Sequence, residues 1–374
     1  MAKKSAIVVG AGIVGMATAR ALALKGYVVN VYERNLKASG ASVRNFGMVW
    51  PIGQPAGKMY DRSIRSRNCW KDIGDSSRLW YDPVGSLHLA YNKMEWQVLQ
   101  ELFESFKEEG RDVELLNINE VLSRSGIAKK ENCLGGLYSR EELIIDPREA
   151  IAFLPEYFHA TLNIQFNWGK AVTSASTGNI TSGSERFNAD LIFICSGSDF
   201  KTLYPEAFEK FPLTKCKLQM MRLTEHGSPR IGASLCGGLS LIHYPSFKAA
   251  SSLNELRQYY EKEMPEYLKW GIHVMVSQNH LGHLTIGDSH EYGLSPDPFD
   301  KQCINELILK YLNQFTSLRN PKLIETWNGV YGKLTNNETD LFYSPEPGVY
   351  ILNGVGGTGM TMSFGLAEDL INTL

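Results

Sequence analysis

Apolar residues along this chain fall into two textures. The first is the short, continuous, β-branched run of a strand buried on both faces. Ser5–Val9 has this form (SAIVV). It is followed by the glycine-rich turn Gly10-Ala11-Gly12-Ile13-Val14-Gly15 and an Ala/Leu-rich stretch, 16–25, that reads as a helix ended by Gly26. Residues 27–32 (YVVNVY) read as a second strand, closed by Glu33 and Arg34. One strand–helix–strand unit is therefore complete within the first 34 residues. The same texture returns at 190–195 (DLIFIC) and at Val349–Asn353 (VYILN), which leads into a second glycine cluster at 354–359 and a closing helix. Helices are also expected after Gly57 to 73, over 95–109 and over 147–159, and strands at 86–91 and 164–172. The second texture, alternating apolar and polar positions broken by turns, occupies 217–284 with a helix near 253–262. It predicts an antiparallel sheet, with LSLIHYP and GIHVMV among its strands.

The expected fold class is α/β with an α+β second part: a Rossmann-like dinucleotide-binding domain and an inserted antiparallel-sheet domain. The boundaries read from the textures give 1–85, 145–215 and 326–374 to the first, and 86–144 and 216–325 to the second. A chain of 374 residues is long enough for such a division, at ~150 residues per domain.

Charge narrows the partners. With 38 Lys+Arg against 40 Asp+Glu the net charge is −2, so no basic excess exists to neutralise nucleic-acid phosphates. The cysteines at 69, 133, 195, 216, 236 and 303 make no CxxC spacing. They read as free thiols of a reducing, cytoplasmic compartment. No apolar run approaches the ~20 residues of a membrane span.

Gly10, Gly12 and Gly15 form a GxGxxG turn between strand and helix. Such a turn lets a pyrophosphate approach the backbone and the helix N-terminus, while Ile13 and Val14 begin the helix. Glu33 stands 18 residues beyond Gly15, where a carboxylate can accept from a ribose diol. NAD and FAD both use this unit. The second glycine cluster favours FAD, because a second helix N-terminus can hold negative charge on a reduced flavin ring. An NAD-dependent dehydrogenase would leave that cluster unexplained.

GAGIVGMATARALALKG, GASVRNFGM, DLIFICSG and NGVGGTGMTMSFGLAEDL lie in this order along the chain. Together they resemble the flavoprotein amine and amino-acid oxidases, the family of D-amino-acid oxidase, glycine oxidase and monomeric sarcosine oxidase. The resemblance implies that Ser42, Arg44 and Asn45 lie near pyrophosphate and ring, and that Gly47 and Met48 line the isoalloxazine. It implies that Val172 touches adenine, that Ser196 and Gly197 close the middle strand's contact, and that Gly356, Gly357, Gly359, Met360 and Thr361 cover the pyrimidine end. The structural alternative for Ser42 and Asn45 is a loop cap. RNFGMVWPIGQPAG and IHVMVSQN…LTIGDSHEYG resemble a subgroup associated with breakdown of aminophosphonates related to 2-aminoethylphosphonate.

The family's substrate segment, Trp-x-Gly-Leu-Arg-Pro, is here Trp327-Asn328-Gly329-Val330-Tyr331-Gly332-Lys333. Tyr331 stands where the family's arginine forks onto a carboxylate, and a hydroxyl cannot make that bidentate pair. No cysteine stands where covalent relatives link their flavin, so FAD is expected to be non-covalent. Donors for an anionic substrate are sought among Tyr331, Lys333, Arg44, His243, His273 and His290, with Trp50 and Trp327 as candidate walls. The expected activity is oxidation of a small anionic amine, with O2 or another electron acceptor. The alternatives are an oxidase of glycine, sarcosine or a D-amino acid, and a non-catalytic flavin-binding module.

Overall fold

The computed structural model describes residues 3–225 and 230–374. A six-stranded sheet runs in the order 341–346, 349–353, 191–194, 5–9, 28–33, 165–168. Every neighbouring pair in it is parallel except the first. Ala6, Val8, Val29, Val31 and Phe193 are buried against Met16, Ala19 and Leu22 of the helix Ile13–Leu24 and against Phe364 and Leu366 of the closing helix Gly359–Ile371. The continuous apolar runs are thus strands covered on both faces.

The second sheet has nine strands. Its backbone is the pairing of two long strands, Leu213–Glu225 and Pro321–Leu334, in a register that sets Cys216 opposite Tyr331 and Thr214 opposite Lys333. Leu284–Gly287 and Glu291–Tyr292 also pair with Leu213–Glu225, and Met275–Gln278 continues the sheet. The sheet is not purely antiparallel, since Ser234–Cys236 runs parallel to Ser86–Ala90. Both long strands pass through the positions near 215 and 325 where the sequence texture changes.

Three local expectations are corrected. The segment LSLIHYP is not a strand: Gly238–Ile242 and Pro245–Ala249 are 3-10 turns, and His243 caps the first. Gly237 and Gly238, which lead into the first turn, are packed closely by the rings of Tyr311 and Phe315 and by the Glu95 carboxylate and Tyr260 hydroxyl. His273 lies just ahead of the strand Met275–Gln278, although its backbone exchanges hydrogen bonds with Asp288. The strand expected over 164–172 is two pieces: Gln165–Trp168 joins the large parallel sheet, and Val172–Ser176 opens a separate three-stranded sheet.

Candidate cofactor and substrate site

The first glycine turn is held by contacts that leave no space for side chains. A Cβ on Gly10, which has φ of +106°, would lie 2.3 Å from the Cys195 carbonyl oxygen, and one on Gly15 would lie 1.9 Å from the Gly10 carbonyl oxygen. The helix beginning at Ile13 therefore packs directly on the strand that precedes it. Glu33 closes the turn from the next strand. Its carboxylate accepts from the Ala11 N–H at 3.0 Å and from the Asn35 N–H at 3.0 Å. The Ser42 hydroxyl accepts from the Ile13 N–H at 2.9 Å, reaching the helix N-terminus. Arg34, beside Glu33, pairs with Asp199 at 2.6 Å, and against the opposing pull of burial the Thr202 hydroxyl and this arginine hold the Asp199 carboxyl below its usual range.

The second glycine cluster ends at another open helix terminus. The Thr358 hydroxyl donates to the Val355 carbonyl at 2.7 Å rather than capping the helix Gly359–Ile371. That helix therefore has no side-chain N-cap. The strand carrying Asn353 is tied to the middle strand, since the Asn353 amide donates to Ser196 Oγ at 3.2 Å.

One cavity of about 1000 Å³ joins these parts. Gly10, Gly12, Ile13, Val14, Gly15, Glu33, Arg34, Ser42, Arg44, Asn45, Val172, Ser196, Gly197, Gly356, Gly357, Gly359 and Met360 all line it. Five expected residues do not: Gly47, Met48, Trp50, Trp327 and Thr361. The Thr361 hydroxyl is spent accepting the Trp50 backbone N–H at 2.9 Å, and Trp50 is buried with its ring against His88 and Tyr244. Gly47 and Met48 lie behind the lining, where a Cβ on Gly47 would lie 1.9 Å from the Ile145 carbonyl oxygen and Met48 is paired with Ile144 in a small sheet. Asn45 lines the cavity but acts as a loop cap: its amide donates to the Ala41 and Ser42 carbonyls and its oxygen accepts from Gly47 N–H. Arg44 donates to the Asn328 carbonyl at 3.1 Å, and Trp327 donates back to the Arg44 carbonyl.

At the other end of the cavity the second sheet contributes Tyr331, Lys333, His243, His273, Asp288, His290, Tyr244 and Tyr292. Tyr331 and Lys333 are two apart on one strand and therefore share a face. Both meet the second glycine cluster: a Cβ on Gly357 would lie 3.4 Å from the Tyr331 hydroxyl, and one on Gly356 3.8 Å from Lys333 Cγ. The Lys333 ammonium sits over the Tyr292 ring at 5.4 Å. The three histidines cluster, with ring centroids 3.8 Å apart for His243–His273 and 4.8 Å for His243–His290. His273 Nε2 is 3.1 Å from the buried Asp288 carboxylate. Burial pushes His273 well below the ordinary imidazole range and His290 down to about 4, while His243 is exposed to the cavity. Burial pushes Asp288 and Tyr331 the other way, well above theirs. This end of the cavity therefore favours uncharged side chains, with Lys333 as its nearby cation. Asp288, Tyr244, Tyr292 and the cavity-lining Lys248 were not singled out by the sequence. Only the DSH spacing at 288–290 hinted at Asp288, as a carboxylate beside a candidate histidine.

Two glycine-rich helix termini, a carboxylate at the end of the second strand and a continuous groove define a dinucleotide-binding oxidoreductase. The cradle fits a flavin dinucleotide: the spaces above Gly12 and Gly357 exist only while those residues lack a Cβ, and the groove is at the upper end of ligand-site volumes. The family model described as DAO, FAD dependent oxidoreductase, matches residues 5–373, and the chain belongs to that family. The protein binds FAD. Solved structures with the same fold include glycine oxidase from Bacillus cereus ATCC 14579, at 15% identity and TM-score 0.79 over 99% of this chain and 95% of that one. L-proline dehydrogenase from P. horikoshii matches at 18% identity and TM-score 0.80 over 99% and 92%. Iminodiacetate oxidase from Chelativorans sp. BNC1 matches at 17% identity and TM-score 0.73 over 98% and 94%. A curated relative, the tRNA 5-methylaminomethyl-2-thiouridine biosynthesis bifunctional protein MnmC of Saccharophagus degradans, is 29% identical over 253 residues, 63% of this chain. The match spans 34% of that relative's length. Among the described residues no helix is long and apolar enough to cross a membrane.

Proposed function

We propose that this protein oxidises the C–N bond of a small amine carrying a phosphonate, a compound related to 2-aminoethylphosphonate. The observation that carries the reading is the substrate end of the cavity, where Tyr331 and Lys333 share a face beside three imidazoles. A planar carboxylate is best held by one arginine fork, whereas a tetrahedral anion with three oxygens suits donors that converge from several elements. The strand bearing Tyr331 and Lys333, the turn bearing His243 and the segments bearing His273 and His290 supply such donors. Bound FAD supplies the two-electron acceptor. The chain's task is to hold the amine's carbon against the flavin, to exclude water and to receive the charge of reduction at the helix N-terminus behind Gly359. In this reading 1–85, 145–215 and 326–374 form the cofactor domain and 86–144 and 216–325 the substrate domain, with Tyr331 and Lys333 reaching the substrate from the first of these. Similar folds carry glycine, proline and iminodiacetate oxidation in other proteins, which supports amine chemistry but not a choice of anion.

The test is anaerobic bleaching of the flavin. 2-Aminoethylphosphonate or its N-methylated or hydroxylated forms are expected to reduce the flavin faster than glycine, sarcosine or D-alanine. Lys333→Ala removes one charge-assisted contact, worth about 1.5–3 kcal/mol. The concentration for half-maximal reduction should therefore rise roughly ten-fold or more. Efficient reduction by a simple α-amino acid, with no response to any aminophosphonate, overturns the reading.

A further inference from the structure

We propose that Asp288 is the receptor for the cationic nitrogen of the substrate, and that Asp288 and Lys333 together read a small zwitterion, the carboxylate taking the ammonium and the lysine the anion. The inference rests on the amine part of the substrate reading above and not on its choice of anion.

Asp288 follows the strand Leu284–Gly287 and lines the substrate end of the cavity. Its backbone is fixed on both sides. The Asp288 N–H donates to the His273 carbonyl at 2.9 Å, and the Asp288 carbonyl accepts from the His273 N–H at 3.2 Å. The next residue is tied to the long strand, since the Ser289 hydroxyl accepts from the Gln219 N–H at 3.1 Å. The residue is only 5% exposed, yet Oδ1 of its carboxyl has no hydrogen-bond partner. The near basic neighbour is His273 Nε2 at 3.1 Å, a contact that is an ion pair only when the imidazole is protonated. Tyr331, Tyr292, Tyr244 and Cys216 stand around the carboxyl, and none of them is a cation. A buried carboxyl with an unused acceptor is costly in an empty site. A cationic nitrogen supplies both the donor and the counter-charge that the surrounding groups lack.

Lys333 provides the opposite charge. It forms no ion pair among the described residues, and its ammonium rests over the Tyr292 ring. The other carboxyls lining the cavity belong to Glu33 and Asp199, engaged with the glycine turn and with Arg34, and to Glu338 in the loop after the long strand. The substrate end therefore offers one carboxyl and one ammonium from separate elements. A short alkyl chain with an ammonium at one end and an anion at the other meets both. A hydroxyl in place of the ammonium can donate one hydrogen bond but brings no charge. Asp288 should therefore discriminate C–N from C–O substrates of equal size.

The test compares isosteric pairs on the holoenzyme without oxygen: 2-aminoethylphosphonate with 2-hydroxyethylphosphonate, and glycine with glycolate. Half-saturation is read from the flavin spectrum, by perturbation or by bleaching. Within a pair that binds, the amine is expected to bind roughly ten-fold or more tightly than the alcohol. Asp288→Asn, with its flavin content intact, should remove that preference by weakening the amine alone, whereas Lys333→Ala should weaken both members alike. Equal weakening of both members by Asp288→Asn would mark a structural role and overturn the inference. So would equal affinities in the unmodified protein, a comparison that requires no variant. Both of these outcomes, seen with the phosphonate pair, leave the choice of anion standing. Amine preference confined to the glycine pair, with no response to either phosphonate, supports the inference and removes the phosphonate reading. Response to neither pair removes both. The ligand nitrogens of His243, His273 and His290 lie within 4.8 Å of one another. Stoichiometric transition metal in the holoenzyme, lost in Asp288→Asn, would make Asp288 a support for a metal ligand and overturn its assignment to the amine.

Discussion

Glu33 illustrates how one side chain serves the fold before any ligand arrives. Its two oxygens already hold the Ala11 and Asn35 N–H groups, so the carboxylate shapes the glycine turn as well as serving the ribose contact we propose for it. Glu33→Lys should lose both effects. Removing a charge-assisted hydrogen bond costs about 1.5–3 kcal/mol, or roughly ten- to hundred-fold in FAD affinity. Loss of flavin on dilution and dialysis, with the circular dichroism of the folded chain retained, is the expected result; a full flavin complement would contradict it. Glu142 is a different case. It is fully buried, accepts from the Ile52 N–H and the Ser86 hydroxyl at 2.9 Å each, and burial pushes its carboxyl up to about 7. The sign follows from proton binding. Between the ordinary glutamate value and about 7 the folded chain holds a proton that the unfolded chain has released, so stability falls as pH rises through that window. A shift of this size corresponds to roughly 3 kcal/mol. Denaturant melts of Glu142→Gln should lack this part of the decline from pH 5 to 8. An unchanged pH profile would mean that Glu142 ionises freely in the fold.

At the scale of elements, the parts legible in the sequence are those whose pattern is local. The run Ser5–Val9, the glycine turn and the helix Ile13–Leu24 are set by residues within a few positions of one another. The stacking of Tyr331 and Lys333 on one face follows from the two-residue period of a strand. The strand expected at His243 is a turn instead: its alternating neighbours mimic a strand, while the side chains packed on Gly237 and Gly238 come from distant positions. Trp50 and Thr361 escaped because their bond joins residues 311 positions apart. The same contrast makes Gly15 a test of the first helix. An added Cβ there would collide with backbone, the Gly10 carbonyl oxygen, which cannot swing aside as a side chain does. Gly15→Ala should destabilise the chain by about 1–3 kcal/mol and displace the helix N-terminus from the phosphate position. A lower melting temperature and reduced flavin content on purification are expected together. Retention of both at the original level would show that strand and helix have slack that the packing denies.

For the whole molecule, the cofactor groove draws on segments scattered from Gly10 to Met360, so bound FAD joins parts of the chain that are far apart in sequence. Its mode of attachment decides how that bridging acts. A covalent flavin stabilises independently of free cofactor, whereas a reversible one stabilises by mass action, by about 2.7 kcal/mol at a hundred-fold excess over the dissociation constant. The thiols favour the second. Cys303 is exposed on the helix Gln302–Phe315, away from the cavity lining, and Cys69, Cys133, Cys216 and Cys236 are buried outside it. Cys195 alone among the cysteines lines the groove, but its sulfur lies 3.9 Å from the Thr18 hydroxyl and burial pushes its thiol up to about 12. No thiolate is therefore poised to form a flavin bond. Acid precipitation should release all the yellow colour into the supernatant, and the melting temperature of the refolded protein should climb with added FAD. Colour retained in the pellet, or a melting temperature indifferent to free FAD, would require an attachment point that the arrangement of cysteines does not offer.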